Sequence, residues 1–163
     1  MIYYIIDNTH CGVSADGTLP TGAVECTEEQ YQNASAWTVA NDQIVAYTPP
    51  LAQVQAAQIT ALQSTCQAAI EAGFTSAALG ASANYPSDPR SQVNIALAAA
   101  NGGSLWCETG TSWAFTAHTA AQAQQVQKDL TAHIQSCQSQ YAGLLAQVIA
   151  AASVAAAQAV VWS

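Results

Sequence analysis

TAAQAQQVQKDLTAHIQSCQSQYAGLLAQVIAA, residues 119–151, decides the fold. From Leu130 the apolar side chains fall at Leu130, Ile134, Cys137, Tyr141, Leu144, Val148 and Ala151, an alternating four-three spacing that marks a heptad seam on one long helix. Such a stripe is narrower than the apolar face of an ordinary surface helix, so the helix lies lengthwise against another helix. That partner belongs either to the same chain or to a second copy, and the seam is a candidate surface for homo-oligomer formation. Thr119 and Gln122 have the spacing of a capping box and set the start of the helix.

Upstream, LAQVQAAQITALQSTCQAAIEAG (51–73) is helical throughout, with Ile59, Leu62, Cys66 and Ile70 on one face and Gly73 placed to end it. It is the natural intramolecular partner, with its four apolar residues expected to face Leu130, Ile134, Cys137 and Tyr141. FTSAALGASANYP (74–86) reads as two short extended runs around Gly80. Asp88-Pro89 supplies an N-cap and a first helical residue, for a helix that stops at Asn101-Gly102-Gly103. LWCETGTSWAFTAHT (105–119) is a hairpin turning at Gly110, and Ser153 caps a last short helix.

The first 48 residues differ in kind. IYYII (2–6) is strand-like, SADGTLPTG (14–22) a turn segment and AVEC (23–26) a short strand. TEEQ (27–30) has capping-box spacing, and WTVANDQIVAYT (37–48) is a hairpin around Asn41-Asp42. Pro49-Pro50 then forms a boundary. The expected architecture is α+β: a small β-rich acidic module over 1–48, and a helix, hairpin, helix, hairpin, long-helix module over 49–163 with antiparallel helix packing.

Ten carboxylates stand against two basic residues, Arg90 and Lys128, for a formal net charge of −8. Eight of the carboxylates precede Arg90. Without clustered Lys and Arg, neither nucleic-acid binding nor attraction to an anionic membrane is expected. Charged residues make up 7% of the chain, against roughly 25% in an ordinary soluble domain. Either partners cover much of the surface, or coding bias has set the composition. Residues 142–162 carry no charge and are long enough to span a bilayer, but they are Ala-rich, contain Gln147, Ser153 and Gln158, and lack flanking Lys or Arg. A packed helix is the expected reading.

No cofactor, metal or catalytic set is legible. Cys11, Cys26, Cys66, Cys107 and Cys137 include no CxxC pair and are expected reduced, with a Cys11–Cys26 disulfide as the alternative. The N-terminus lacks the basic region and apolar core of a signal peptide, which favours folding in a cytoplasm. Thr9-His10-Cys11 is the one close grouping of metal-ligating types, and its spacing is not that of a zinc site. His118 is expected to hydrogen-bond backbone at the strand-to-helix corner, and His133 to lie partly exposed beside the seam. Arg90 is expected to pair with Asp88 or Glu71, with a partner contact as the alternative. There is no GxSxG, GxxxxGK[ST] or GxGxxG. Trp106, Trp113 and Phe115 are the candidate protein-interface residues as a group, although any one of them taken singly is better read as filling the hairpin's own core against the long helix. Charge depletion with exposed aromatics characterises an interface core, and one two-stranded hairpin cannot bury all three.

Three stretches together, VECTEEQYQNASAWTVANDQIVAYTPP, AAIEAGFTSAALG and LWC…WAFTAHTAAQAQQV with the Ala-rich end IAAASVAAAQAVVW, resemble a family of small proteins and domains encoded beside, or fused to, tail-fibre genes of tailed bacteriophages and prophages. The resemblance implies a non-enzymatic tail or baseplate component that docks on the tail fibre, assembled in the host cytoplasm and carried in the virion tail. The alternative it leaves open is a tail-fibre assembly chaperone. It supplies no catalytic residues.

Overall fold

A computed structural model describes residues 1–163. The fold is α+β and divides into two compact units, Met1–Pro50 and Leu51–Ser163.

In the first unit, β1 (Ile2–Ile5) is the centre of a three-stranded antiparallel sheet between β2 (Cys11–Ser14) and β3 (Val24–Cys26). The strand β2 is absent from the sequence reading because CGVS has no alternation and contains a glycine. That glycine is what admits it: Gly12 pairs with Tyr4, and a Cβ there would lie 2.4 Å from the Tyr4 hydroxyl. α1 (Glu28–Gln32) starts at the Thr27–Gln30 capping box, and a 3-10 turn leads to the hairpin of β4 (Trp37–Ala40) and β5 (Gln43–Ala46). Its two turn residues, Asn41 and Asp42, take φ of 50° and 56°, the left-handed pair that a tight hairpin turn requires.

In the second unit, α2 (Leu51–Glu71) leads into an antiparallel sheet of β6 (Phe74–Ser76), β7 (Ala83–Tyr85), β8 (Gly103–Thr109) and β9 (Ser112–His118), in that spatial order. α3 (Pro89–Asn101) connects β7 to β8. β7 pairs with β8 only at Ala83–Thr109 and Asn84–Glu108, and α3 packs against β8 as well. α4 (Ala120–Ala150) and α5 (Val154–Gln158) complete the unit. α4 ends four residues before α5 begins, so the uncharged run at 142–162 is broken, and no helix is long and apolar enough to cross a membrane.

The seam of α4 is shared between two sets of partners. Its N-terminal half carries Ala123, Val126 and Leu130 into a core with Phe74, Ala83, Tyr85, Ile95, Ala98, Leu105 and Cys107. Its C-terminal half runs along α2: Gln55 reaches the carbonyls of Val148 and Ala151, the Cys66 thiol lies against the Cys137 carbonyl at 3.7 Å, and His133 reaches those of Ala69 and Ile70. These contacts step in opposite directions along the two helices, which are therefore antiparallel. They also correct the expected facing. Leu130 lies beyond the end of α2 and belongs to the sheet core, while Cys137 sits opposite Cys66. Cys137 and Val148 are buried, whereas Ile134, Tyr141 and Leu144 are half-buried. Because α2, α3, the sheet and α5 take up the stripe, its buried residues present no seam to a second copy.

Asp88 caps α3. Its carboxylate accepts the N–H groups of Arg90 and Ser91 and the Ser91 hydroxyl. Arg90 makes no ion pair, contrary to expectation, because the Asp88 carboxylate is spent on the helix start.

Two outcomes follow. Leu130→Ala, at a site 5% exposed, should lower unfolding stability in urea by about 2–5 kcal/mol, with half-buried Ile134→Ala costing less. A loss at Leu130 below about 0.5 kcal/mol would contradict its burial. The hydrogen bonds to Asp88, the Ser91 hydroxyl first, hold its carboxyl below the ordinary value of 3.8. With the folded value below the unfolded one, the cap contributes fully above pH 4 or so and is lost as pH falls through the folded value. NMR titration should show the Asp88 carboxyl and the Ser91 amide moving together with a midpoint below 3.8; an ordinary midpoint would contradict the cap.

Candidate functional site

The β6–β9 sheet has one covered and one open face. Phe74, Ser76, Ala83, Tyr85, Leu105 and Cys107 alternate onto the covered face and are buried. Thr75, Asn84, Ser104, Trp106, Trp113, Phe115 and Ala117 alternate onto the other and are exposed, with Glu108 half-buried among them. Antiparallel sheets commonly present such a solvated face, but it is ordinarily polar. Here it carries both tryptophans and the phenylalanine of the β8–β9 hairpin.

The register brings the three aromatics together. Trp106 pairs directly with Phe115, and Glu108 with Trp113. The Trp106 ring lies 4.9 Å from that of Phe115, tilted by 59°, and 6.2 Å from that of Trp113 at an interplanar angle of 22°. Even so, Trp106 and Trp113 are each 43% exposed and Phe115 is 71% exposed. The rings shelter one another without leaving solvent. The recess beneath them, bordered by Asn94, Ile95, Leu105 and Phe115, measures about 30 Å³, room for a water or two. Trp106 and Phe115 thus sit over a shallow recess with no deep cavity beneath them.

The polar groups of the interior are satisfied within it. The Tyr85 hydroxyl and His118 Nε2 share a hydrogen bond at 2.8 Å, and His118 Nδ1 donates to the Thr116 carbonyl at 2.8 Å. Burial, followed by the neighbouring Cys107, pushes the Tyr85 phenol well above its usual range. Ser76 Oγ donates to Asp129 Oδ2 at 2.6 Å. Both pairs are packed beneath the sheet. Ser87 accepts the Gly73 N–H and donates to the Ile70 carbonyl, bracing the turn after α2. Gly73 has φ +99° and its Cβ position lies 2.9 Å from the Tyr85 carbonyl, so this turn admits no side chain.

Thr9, His10 and Cys11 form no metal centre. The Asp7 carboxylate accepts from the Thr9 hydroxyl and from Thr9 and His10 N–H, and pairs with His10 Nδ1 at 2.9 Å, closing the β1–β2 turn. These bonds, the Thr9 hydroxyl first, hold the carboxyl far below its usual range. No group of three His, Cys, Asp or Glu side chains converges elsewhere. All five cysteines are free thiols, including Cys11 and Cys26 on the strands flanking β1.

Residues 53–161 match a family described as a domain of unknown function (DUF4376). The chain belongs to that family. The match falls within the Leu51–Ser163 unit, so the DUF4376 part includes the aromatic face and the whole of α4, while the N-terminal sheet lies outside it. No curated protein and no solved structure matches the chain.

The two faces of the hairpin should respond differently to truncation. Phe115→Ser should cost no more than about 1.5 kcal/mol, the worth of an aromatic pair. Leu105→Ala, 3% exposed on the covered face, should cost about 2–5 kcal/mol. Urea denaturation of the two variants checks this, and equal losses would mean that Phe115 is a core residue.

Proposed function

We propose that the chain is a non-enzymatic bacteriophage tail protein, a tail or baseplate component that docks on the tail fibre through the open face of the β6–β9 sheet. The observation that carries the docking surface is the exposed cluster of Trp106, Trp113 and Phe115 on the face of the sheet opposite the core of its own unit. Aromatic side chains of this kind supply most of the binding energy where a partner desolvates them. The assignment to the tail rests on the resemblance to tail-fibre-associated proteins, and the low charge content is consistent with a surface made for partners. The buried Tyr85–His118 pair and the half-buried Ser76–Asp129 pair tie the sheet together, which favours a binding module over a catalyst.

A pull-down with the tail-fibre protein encoded beside this chain tests the reading. Capture is expected, and Trp106→Ala with Trp113→Ala should weaken it at least about 30-fold, as for a hot spot worth 2 kcal/mol or more. Capture unchanged by both substitutions would move the interface off this face; no capture of any tail component would end the tail reading. Mass spectrometry of purified virions should find the chain at fixed stoichiometry. Its absence from virions, with fibre capture retained, would make it an assembly chaperone instead.

A further inference from the structure

The open face is not uniformly apolar. One transverse row crosses all four strands, Thr75, Asn84, Glu108 and Trp113 from β6 to β9, and Trp106 and Phe115 form the next pair along. Asn84 Nδ2 donates to Glu108 Oε2 at 2.7 Å, which holds the carboxylate from the β7 side, while Trp113 is the register partner of Glu108 on β9 and Oε1 makes no hydrogen bond within the chain. Trp113 walls a solvent-open hollow of about 370 Å³ whose other sides include Glu71, Thr75, Asn84 and Pro86. No cation completes this arrangement. Neither Glu71 nor Glu108 forms an ion pair, and the two basic residues lie elsewhere, Arg90 in the first turn of α3 and Lys128 beside a separate hollow on α4.

We infer that this face takes an arginine side chain of the partner protein, its guanidinium stacked on Trp113 and donating to Glu108, with Glu71 across the hollow adding to the field. The inference rests on the docking reading above and names the chemistry of the partner. A cation over an indole face is attracted by the ring quadrupole. A guanidinium also matches a carboxylate with paired N–H groups and stacks flat, which an ammonium does not. A neutral partner would cover Glu108 without compensating its charge, and a half-buried carboxylate stripped of water in that way opposes binding. Within this unit Glu71, Asp88, Glu108 and Asp129 stand against Arg90 and Lys128. The two carboxylates on this side of the sheet, Glu71 and Glu108, have no cation of the chain paired with them, which favours a basic group of a partner.

The test uses the full chain and three tripeptides, acetyl-Gly-Arg-Gly-amide and its lysine and citrulline counterparts, with the indole N–H signals followed by NMR. The arginine peptide should move the Trp106 and Trp113 signals and leave Trp37 and Trp162 in place. Lysine should bind more weakly, and citrulline, planar but uncharged, should not bind. Glu108→Gln should weaken arginine binding about tenfold, as expected for one charge-assisted hydrogen bond, and Glu28→Gln on α1 should leave it unchanged. Equal binding of arginine and citrulline, full binding by Glu108→Gln, or indole shifts larger with maltose than with the arginine peptide would each overturn the proposal. The two readings fail separately. A fibre protein captured fully by Glu108→Gln, but not by the double tryptophan variant, would keep the docking face and overturn the arginine. Arginine-peptide binding without capture of any tail component would keep the arginine site and overturn the tail partner.

Discussion

A helix of 31 residues, about 46 Å long, must bury one stripe from end to end, and no other element of this chain is long enough to cover it. α2, with 21 residues, reaches along only the C-terminal two-thirds. The rest of the second unit follows from that shortfall. The N-terminal turns of α4 need another apolar surface, and the covered face of the sheet together with Ile95, Ala98 and Ala99 of α3 supplies it. The last turn needs a lid over Val148, and α5 lies there, packed on both α2 and α4. A single spacing pattern therefore serves two structural contexts, one a helix pair and the other a helix on a sheet.

The helix ends pose a second problem, sharpened by composition. Each α-helix leaves its last carbonyls unsatisfied, and Lys or Arg in the last turn is the usual partial remedy. None of the three long helices has a basic residue there. Side-chain donors from the neighbouring helix substitute: Gln55 of α2 for the end of α4, Gln124 of α4 for the Ala99 carbonyl of α3, and His133 of α4 for the end of α2. Each cap forms only when the helices are docked in register, so the same bonds that complete the helices also fix their alignment. The abundance of glutamine thereby acquires a structural use, apart from any effect of coding bias.

Local signals were legible because they are written in short spacings. The capping boxes at Thr27 and Thr119, the Asp88-Pro89 start, the Asn41-Asp42 turn and the two hairpins around Gly80 and Gly110 all depend on residues within a few positions of one another. Continued backwards from Leu130, the four-three spacing lands on Gln127 and then Ala123; it misses the buried Val126, which stands a second four-residue step before Leu130. What could not be read was tertiary. The caps by Gln55, Gln124 and His133 join residues 25 to 96 positions apart, and β2 depends on the Tyr4 ring crossing Gly12. Arg90 was misjudged for a related reason: proximity in sequence to Asp88 says nothing of how many backbone N–H groups already claim that carboxylate.

The candidate site was half legible. That Trp106, Trp113 and Phe115 occur in one hairpin was evident, but both faces of β8 carry apolar residues, Leu105 and Cys107 on one side and Trp106 on the other, so alternation alone could not say which face the core would take. Size argues for the tryptophan side, since it offers the larger apolar area. On the covered face Leu105 and Cys107 share a core with Ala98 and Ala99 of α3 and Ala123 of α4, while the large rings buried there, Phe74 and Tyr85, stand on β6 and β7. Which face of β8 is buried is therefore set by the side on which α3 and α4 pack, a tertiary choice that the alternation within one hairpin does not carry.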